Sequence, residues 1–138
     1  MHSKSYFAEH ATDQKIRERY VPDFARMGVM VEVGGGTPEF LSMSKHFKDN
    51  GWRVVIVEPN PLFAGMHRAT GNEVVDFLSV DVEGWEIEVM KGLDTTRHSV
   101  GVIVLENLMH EASYTEYMQS IHYKLDMKNE YNYVFTAG

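Results

Sequence analysis

Val29-Met30-Val31-Glu32-Val33-Gly34-Gly35-Gly36-Thr37-Pro38-Glu39-Phe40 is the stretch that decides the fold. A short apolar run rich in β-branched residues breaks into three glycines and restarts with a helix-opening signal. Thr37 is suited to the N-cap and Pro38 to the first helical position. That grammar predicts a buried parallel strand, a tight loop and a helix N-terminus. Glycines there let a ligand approach the backbone, because they carry no Cβ and tolerate positive φ.

Outward from this stretch, strand and helix signals alternate. Before it, 10–20 reads as a polar helix with Ile16 and Tyr20 on its sparse apolar side, stopped near Pro22. After it, Phe40, Met43 and Phe47 recur at helical spacing, and Gly51 is the expected C-cap. Arg53 to Glu58 is a second strand, closed by Pro59-Asn60-Pro61, and Leu62 to Thr70 a short helix. Val74 to Val80 is a third strand, ending in Asp81-Val82-Glu83-Gly84. Trp85 to Leu93 is a helix with Trp85, Val89 and Leu93 on its core side, and Val100 to Glu106 a fourth strand. Ser113-Tyr114-Thr115-Glu116 matches a capping box. It opens a helix sharing a face through Tyr114, Met118, Ile121 and Leu125, with Asn129 as its cap. Tyr131 to Thr136 closes the sheet.

The 138 residues are read as a single domain, an N-terminal helical segment (1–24) on a Rossmann-like core (28–138). The expected class is α/β, a three-layer sandwich around a mostly parallel sheet of about five strands. Their expected order in space is second, first, third, fourth, fifth. The net charge of −7 argues against nucleic acid as a partner. No apolar run approaches the ~20 residues of a membrane helix, and Met1-His2-Ser3-Lys4-Ser5 does not resemble a secretory signal. With no cysteine in the chain, disulfides and thiolate-zinc sites are excluded. A cytoplasmic protein is expected.

In an open parallel sheet, ligands bind beyond the carboxyl ends of the strands. The first strand delivers Gly34, Gly35 and Gly36 there, and the second Glu58 and Asn60. The third delivers Asp81 and Glu83, the fourth Glu106, Asn107 and His110. Glu58 lies at the position where an acid grips ribose hydroxyls, both carboxylate oxygens accepting. The dinucleotide fingerprint is incomplete, since Glu39 stands where its third glycine belongs. Glu32 and Glu39 would also repel a pyrophosphate. Acids beside the glycines suit a cofactor with a ribose, no phosphate and positive charge. S-adenosylmethionine has all three properties. Asp81, Glu83 and His110 are the candidate general bases, in that order. Each has a plainer alternative: Asp81 or Glu83 as a cap for the following helix, Glu83 being well placed for the Trp85 helix, and His110 as a surface histidine. No metal-ligand spacing appears among the histidines.

Several segments also resemble a known family: Glu32-Val33-Gly34-Gly35-Gly36, Val57-Glu58-Pro59-Asn60-Pro61 and Val80-Asp81-Val82-Glu83-Gly84-Trp85-Glu86 with Val89-Met90-Lys91-Gly92. In that order they resemble the FkbM family of S-adenosylmethionine-dependent methyltransferases, from Asp13 onward. The resemblance implies a class I methyltransferase fold and O-methylation of a hydroxyl on a small molecule or sugar. By that match Glu58 holds the ribose, Gly34 and Gly36 the methionine end, and Asp81 the pocket floor near the methyl group. Glu32, Gly35 and Asn60 complete the expected cofactor site. The family has a strand–helix unit before the Asp-Val-Glu-Gly strand, for which Gly71 to Val74 leaves no room. The sheet is therefore expected to be reduced from the family's seven strands, with edges that a second copy could cover. Two other readings stay open: a shortened, non-catalytic S-adenosylmethionine- or nucleoside-binding module, and a nicotinamide- or flavin-binding Rossmann protein.

Overall fold

The computed structural model describes residues 6–34, 43–57, 74–82, 84–95 and 99–138. A single 3-10 turn (Glu9–Ala11) leads into α1 (Thr12–Tyr20). There follow β1 (Val29–Gly34), α2 (Lys45–Asp49), β2 (Arg53–Val57), β3 (Val75–Asp81), α3 (Glu86–Lys91) and β4 (Val100–Glu106). The chain ends with α4 (Ala112–Ser120), β5 (Tyr123–Asn129) and β6 (Asn132–Ala137).

The strands form one sheet in the order β2-β1-β3-β4-β6-β5. β1 pairs in parallel with β2 and β3, and β3 in parallel with β4. β6 runs against both of its neighbours, β4 and β5. Two expectations are corrected here. The sheet has six described strands rather than about five, and it is mixed rather than mostly parallel. The anticipated order of the other five strands holds, with β5 added outside the last.

Strand alternation sends successive side chains to opposite faces, and each face carries its own core. Val31, Val33, Leu78, Val80, Ile103 and Leu105 meet Val89 and Met90 of α3 and Tyr114 and Met118 of α4. Met30, Phe77, Val102, Val104 and Val134 meet Ile16 of α1, Phe47 of α2 and Trp52 on the other face. Helices thus cover both faces, which is why β1, β3 and β4 are apolar through most of their length.

The single helix expected from Ser113 to Asn129 is also corrected. Glu111 is the N-cap, the capping box is not formed, and α4 ends at Ser120. His122 then takes a left-handed φ of 69° and the chain turns back as β5. A second left-handed residue, Glu130 (φ 55°), closes the β5–β6 hairpin. A bulge between Leu125 and Met127 breaks the β5 register. Within it, Asp126 accepts hydrogen bonds from Tyr20 Oη (2.6 Å) and Arg19 Nε (3.0 Å). Asn129 is no helix cap. It donates through Nδ2 to His10 O (2.9 Å) and Thr12 Oγ1 (2.8 Å), while Asn132 donates to the same Thr12 oxygen (3.1 Å). The hairpin therefore clamps the start of α1 against the sheet.

Trp85, expected in the core, is 67% exposed. Val89 and Leu93 are buried as expected, and Gly51 has the left-handed φ of a helix-ending glycine (87°). The anticipated helix over 62–70 and the Thr37–Pro38 helix start lie outside the described residues.

Candidate active site

Register brings the strand ends together. Gly34 at the end of β1 pairs with Asp81 at the end of β3, and Glu32 pairs with Ser79. Val80 pairs with Leu105, so Asp81 and Glu106 end adjacent parallel strands. Glu32, Asp81 and Glu106 line one cleft of about 40 Å³, room for a few water-sized groups. Glu9, Tyr131 and Asn132 line its other side. They arrive there because the hairpin clamp pins the turn before α1 beside the β5–β6 turn. Of the expected site residues, the structure thus unites Glu32, Gly34 and Asp81. Gly35, Gly36, Glu58, Asn60 and Glu83 lie outside the described residues.

Gly34 has two reasons to be glycine. Its φ is +76°, and a Cβ at this position would stand 1.8 Å from the carbonyl oxygen of Asp81. The glycine lets β1 close on β3 and so sets where Asp81 sits. The next turn is held from behind. Glu86, wholly buried, accepts hydrogen bonds from Val82 N (2.8 Å), Gly84 N (3.1 Å) and Tyr114 Oη (2.6 Å). One carboxylate thereby organises the turn after Asp81 and ties it to α4. The capping work that suggested itself for Glu83 is seen here in Glu86, folding back from the first residue of α3.

The cleft is strongly acidic. Glu106 shares a hydrogen bond with Asp81, and its carboxyl is pushed up to about 8. Burial is the main cause, followed by that bond and the negative charges of Asp81, Glu86 and Glu9. Glu32 is also raised, first by burial and then by Asp81, although bonds from Ser44 and the Met43 backbone pull the other way. The Tyr131 phenol is raised by burial and by its hydrogen bond to Glu9. Among the described residues, no Lys or Arg lines the cleft. Such a site rejects phosphate and attracts a cation.

His110 is placed elsewhere. It is exposed, with a left-handed φ of 51°, and its Nδ1 lies 2.8 Å from Tyr133 Oη. It is not among the residues lining the cleft, and the surface reading of this histidine is the one the structure supports. The loop carrying it is shaped by Asn107, which bonds Glu111 twice, through Nδ2 to its carbonyl and through Oδ1 from its N–H (both 2.9 Å).

Sequence reasoning assigned no role to Glu9, Tyr131 or Asn132. Their signal is tertiary, the asparagine contacts to Thr12, and no local pattern carries it. Glu106 stood among the rim acids and could have been found from strand register alone.

The family described as the methyltransferase FkbM domain matches residues 64–135, just over half of the chain. The chain belongs to the FkbM methyltransferase family. No curated protein matches it. The FkbM match spans Asp81, Glu83, Glu86, Glu106, His110 and Tyr131, whereas Glu32, Gly34 to Gly36, Glu58 and Asn60 precede it.

Proposed function

We propose that this FkbM-family protein is an S-adenosylmethionine-dependent methyltransferase of Rossmann-like, class I architecture. Its acceptor in this reading is a hydroxyl on a small molecule or carbohydrate, met in the cytoplasm. The observation that carries the reading is the cleft itself: Glu32, Asp81 and Glu106 converge from three adjacent strands, with no cationic residue among the described residues of the lining. That donor set fits a sulfonium and an ammonium and does not fit a dinucleotide's phosphates.

S-adenosylmethionine supplies an electrophilic methyl group. The chain supplies the surroundings. Glu32 and Asp81 set the negative field, and Gly34 allows the close approach of β1 that positions Asp81. Gly35, Gly36, Glu58 and Asn60 complete the cofactor site in this reading. Asp81 is the first candidate to take the acceptor's hydroxyl proton, a step that contributes ~10²–10⁴-fold in general base catalysis. Glu83 is the second, and His110 falls behind both because its ring is engaged by Tyr133.

Isothermal titration with S-adenosylmethionine tests the reading. A heat of binding at sub-millimolar cofactor is expected, and none at millimolar cofactor in folded protein overturns it.

One observation favours a second reading. β2 ends at Val57, β3 begins at Val75, and the two flank β1 on opposite sides. Residues 58–74 alone make that crossover, enough for one helical connection but not for a further strand–helix unit. A protein that keeps the cofactor and transfers nothing fits this economy. It is distinguished by binding S-adenosylhomocysteine without turnover on any acceptor. The edge strands β2 and β5 are where a second copy would pair.

A further inference from the structure

Two turns at the strand ends display large apolar side chains where polar residues are the rule. The turn between β4 and α4 closes with His110 N donating to Asn107 O at 3.0 Å, which puts Leu108 and Met109 at its central positions. Gly, Pro, Asn, Asp and Ser dominate such positions, yet Leu108 is 55% exposed and Met109 77%. The turn after β3 ends in Trp85 at the N-cap of α3, where Ser, Thr, Asp and Asn are preferred. Its side chain makes no cap bond and is 67% exposed.

Both turns are held in place. Asn107 bonds Glu111 twice and donates its N–H to Tyr131 O at 2.7 Å, while the His110 ring meets Tyr133 Oη. Glu86 fixes the turn before Trp85, and its 2.6 Å bond from Tyr114 ties the start of α3 to the start of α4. The three side chains are thus presented from one bolted junction and cannot fold inward without breaking it. They stand on the rim of the cleft. Leu108 follows Glu106 by two residues and Trp85 follows Asp81 by four, so their Cα atoms lie within ~7 Å and ~14 Å of those acids' Cα atoms.

The cleft has room for a reacting group only, about 40 Å³, so the body of an acceptor rests on the rim around it. Three side chains offer on the order of a few hundred Å², short of the ~800 Å² per partner in a stable protein complex. That area suits a small molecule, and the acids beside it repel an anion. A sugar could stack on Trp85, but its hydroxyls would face Leu108 and Met109 without partners. We propose that Trp85, Leu108 and Met109 seat the acceptor, and that the acceptor is an uncharged hydroxyl compound with a hydrocarbon or aromatic body. This rests on the methyltransferase reading above and narrows its substrate class.

Intrinsic fluorescence tests it, because Trp52 is buried and Trp85 is the exposed tryptophan of the pair. Straight-chain primary alcohols from butanol to octanol are titrated without cofactor, with methyl glucoside as the polar control. A blue shift is expected with the alcohols, its half-saturating concentration falling ~2–4-fold per methylene, and none with the glucoside. Leu108→Ser combined with Met109→Ser, both at exposed positions, is expected to weaken octanol at least ~fivefold. Trp85→Phe, left with Trp52, is expected to lose the shift. Half-saturation that ignores chain length or the double-serine change overturns the inference, as does a shift that survives in Trp85→Phe. Emission that changes with protein concentration alone makes a second copy the occupant and overturns it too. Calorimetry with S-adenosylmethionine on the same sample separates the two readings. No alcohol response with cofactor binding intact overturns this inference alone. An alcohol response without cofactor binding overturns the methyltransferase reading and, with it, the acceptor assignment.

Discussion

Replacing Glu86 with alanine removes the acceptor on which three donors converge, and the cost can be worked from the structure. The side chain is wholly buried and takes bonds from Val82 N, Gly84 N and Tyr114 Oη, the last at 2.6 Å. Hydrogen bonds to a charged group contribute ~1.5–3 kcal/mol each, and a stranded buried hydroxyl costs ~1–3 kcal/mol. Two effects reduce the total. The backbone donors sit in a partly exposed turn and regain water, and deleting the carboxylate also deletes its desolvation penalty. A net loss of ~3–4 kcal/mol is expected for Glu86→Ala, against ~1–2 kcal/mol for Glu86→Gln, whose amide still accepts at one oxygen. Unfolding entropy of ~2.1 cal/mol/K per residue over 138 residues makes ~0.3 kcal/mol per degree, so the alanine variant should melt ~10 °C lower. Thermal and urea unfolding by circular dichroism read this directly. Tyr114→Phe combined with Glu86→Ala in a double-mutant cycle should show at least ~1 kcal/mol of coupling. A melting shift under ~3 °C for Glu86→Ala, or additive effects of the two substitutions, refutes the idea that this carboxylate organises the turn.

The raised Glu106 carboxyl makes stability depend on pH. A folded value of about 8, above the ordinary 4.5, means a contribution fully present below pH 4.5 and lost as pH rises to 8. Solvent reaching this partly exposed group reduces the effect to ~1–2 kcal/mol, so Glu106→Gln should gain on the wild type by that amount between pH 5 and pH 8. Urea midpoints measured in parallel settle it, and curves that stay parallel across that window count against the assignment. In the hairpin clamp, Asn129→Ala deletes the donor to His10 O and Thr12 Oγ1. A local loss of ~1.5 kcal/mol should speed hydrogen exchange at the α1 amides about tenfold, and unchanged exchange there would show that the clamp does not hold the helix.

The central strands were legible because their chemistry leaves no choice. Val29 to Val33, Glu32 apart, and Val100 to Leu105 carry no polar side chain on either face, and only a strand covered on both sides buries such a run at that length. β5 was not, because Tyr123-Lys124-Leu125-Asp126-Met127-Lys128-Asn129 satisfies two periods. Leu125 falls in helical step with Tyr114, Met118 and Ile121, yet Tyr123, Leu125 and Met127 also alternate. The choice is made at His122, which turns left-handed with no glycine to announce it. Trp85 was misread for a related reason. Its spacing with Val89 and Leu93 assumes a helix that already includes it, and α3 starts one residue later. In the site, Asp81 followed from the rule that polar groups at strand ends face the ligand, and Glu32 from its place beside the glycines. Glu9 and Tyr131 could not follow from it, since they come from turns that reach the cleft only through contacts with Thr12.

Crowding acids at one end of a sheet is unfavourable unless each is compensated, and the compensations sort these acids by role. Glu86 is met by three donors of the chain itself and is thereby structural. Glu32 is met by Ser44 and the Met43 backbone, and Glu9 by the Tyr131 hydroxyl. Glu106 is met by no such donor among the described residues, and burial, with Asp81 beside it, raises its carboxyl to about 8. Asp81 and Glu106 end the adjacent strands β3 and β4, and both line the cleft. A carboxyl held by burial and by neighbouring acids is exposed to the charge of whatever enters the cleft, whereas Glu86, buried and triply bonded, is fixed by the fold.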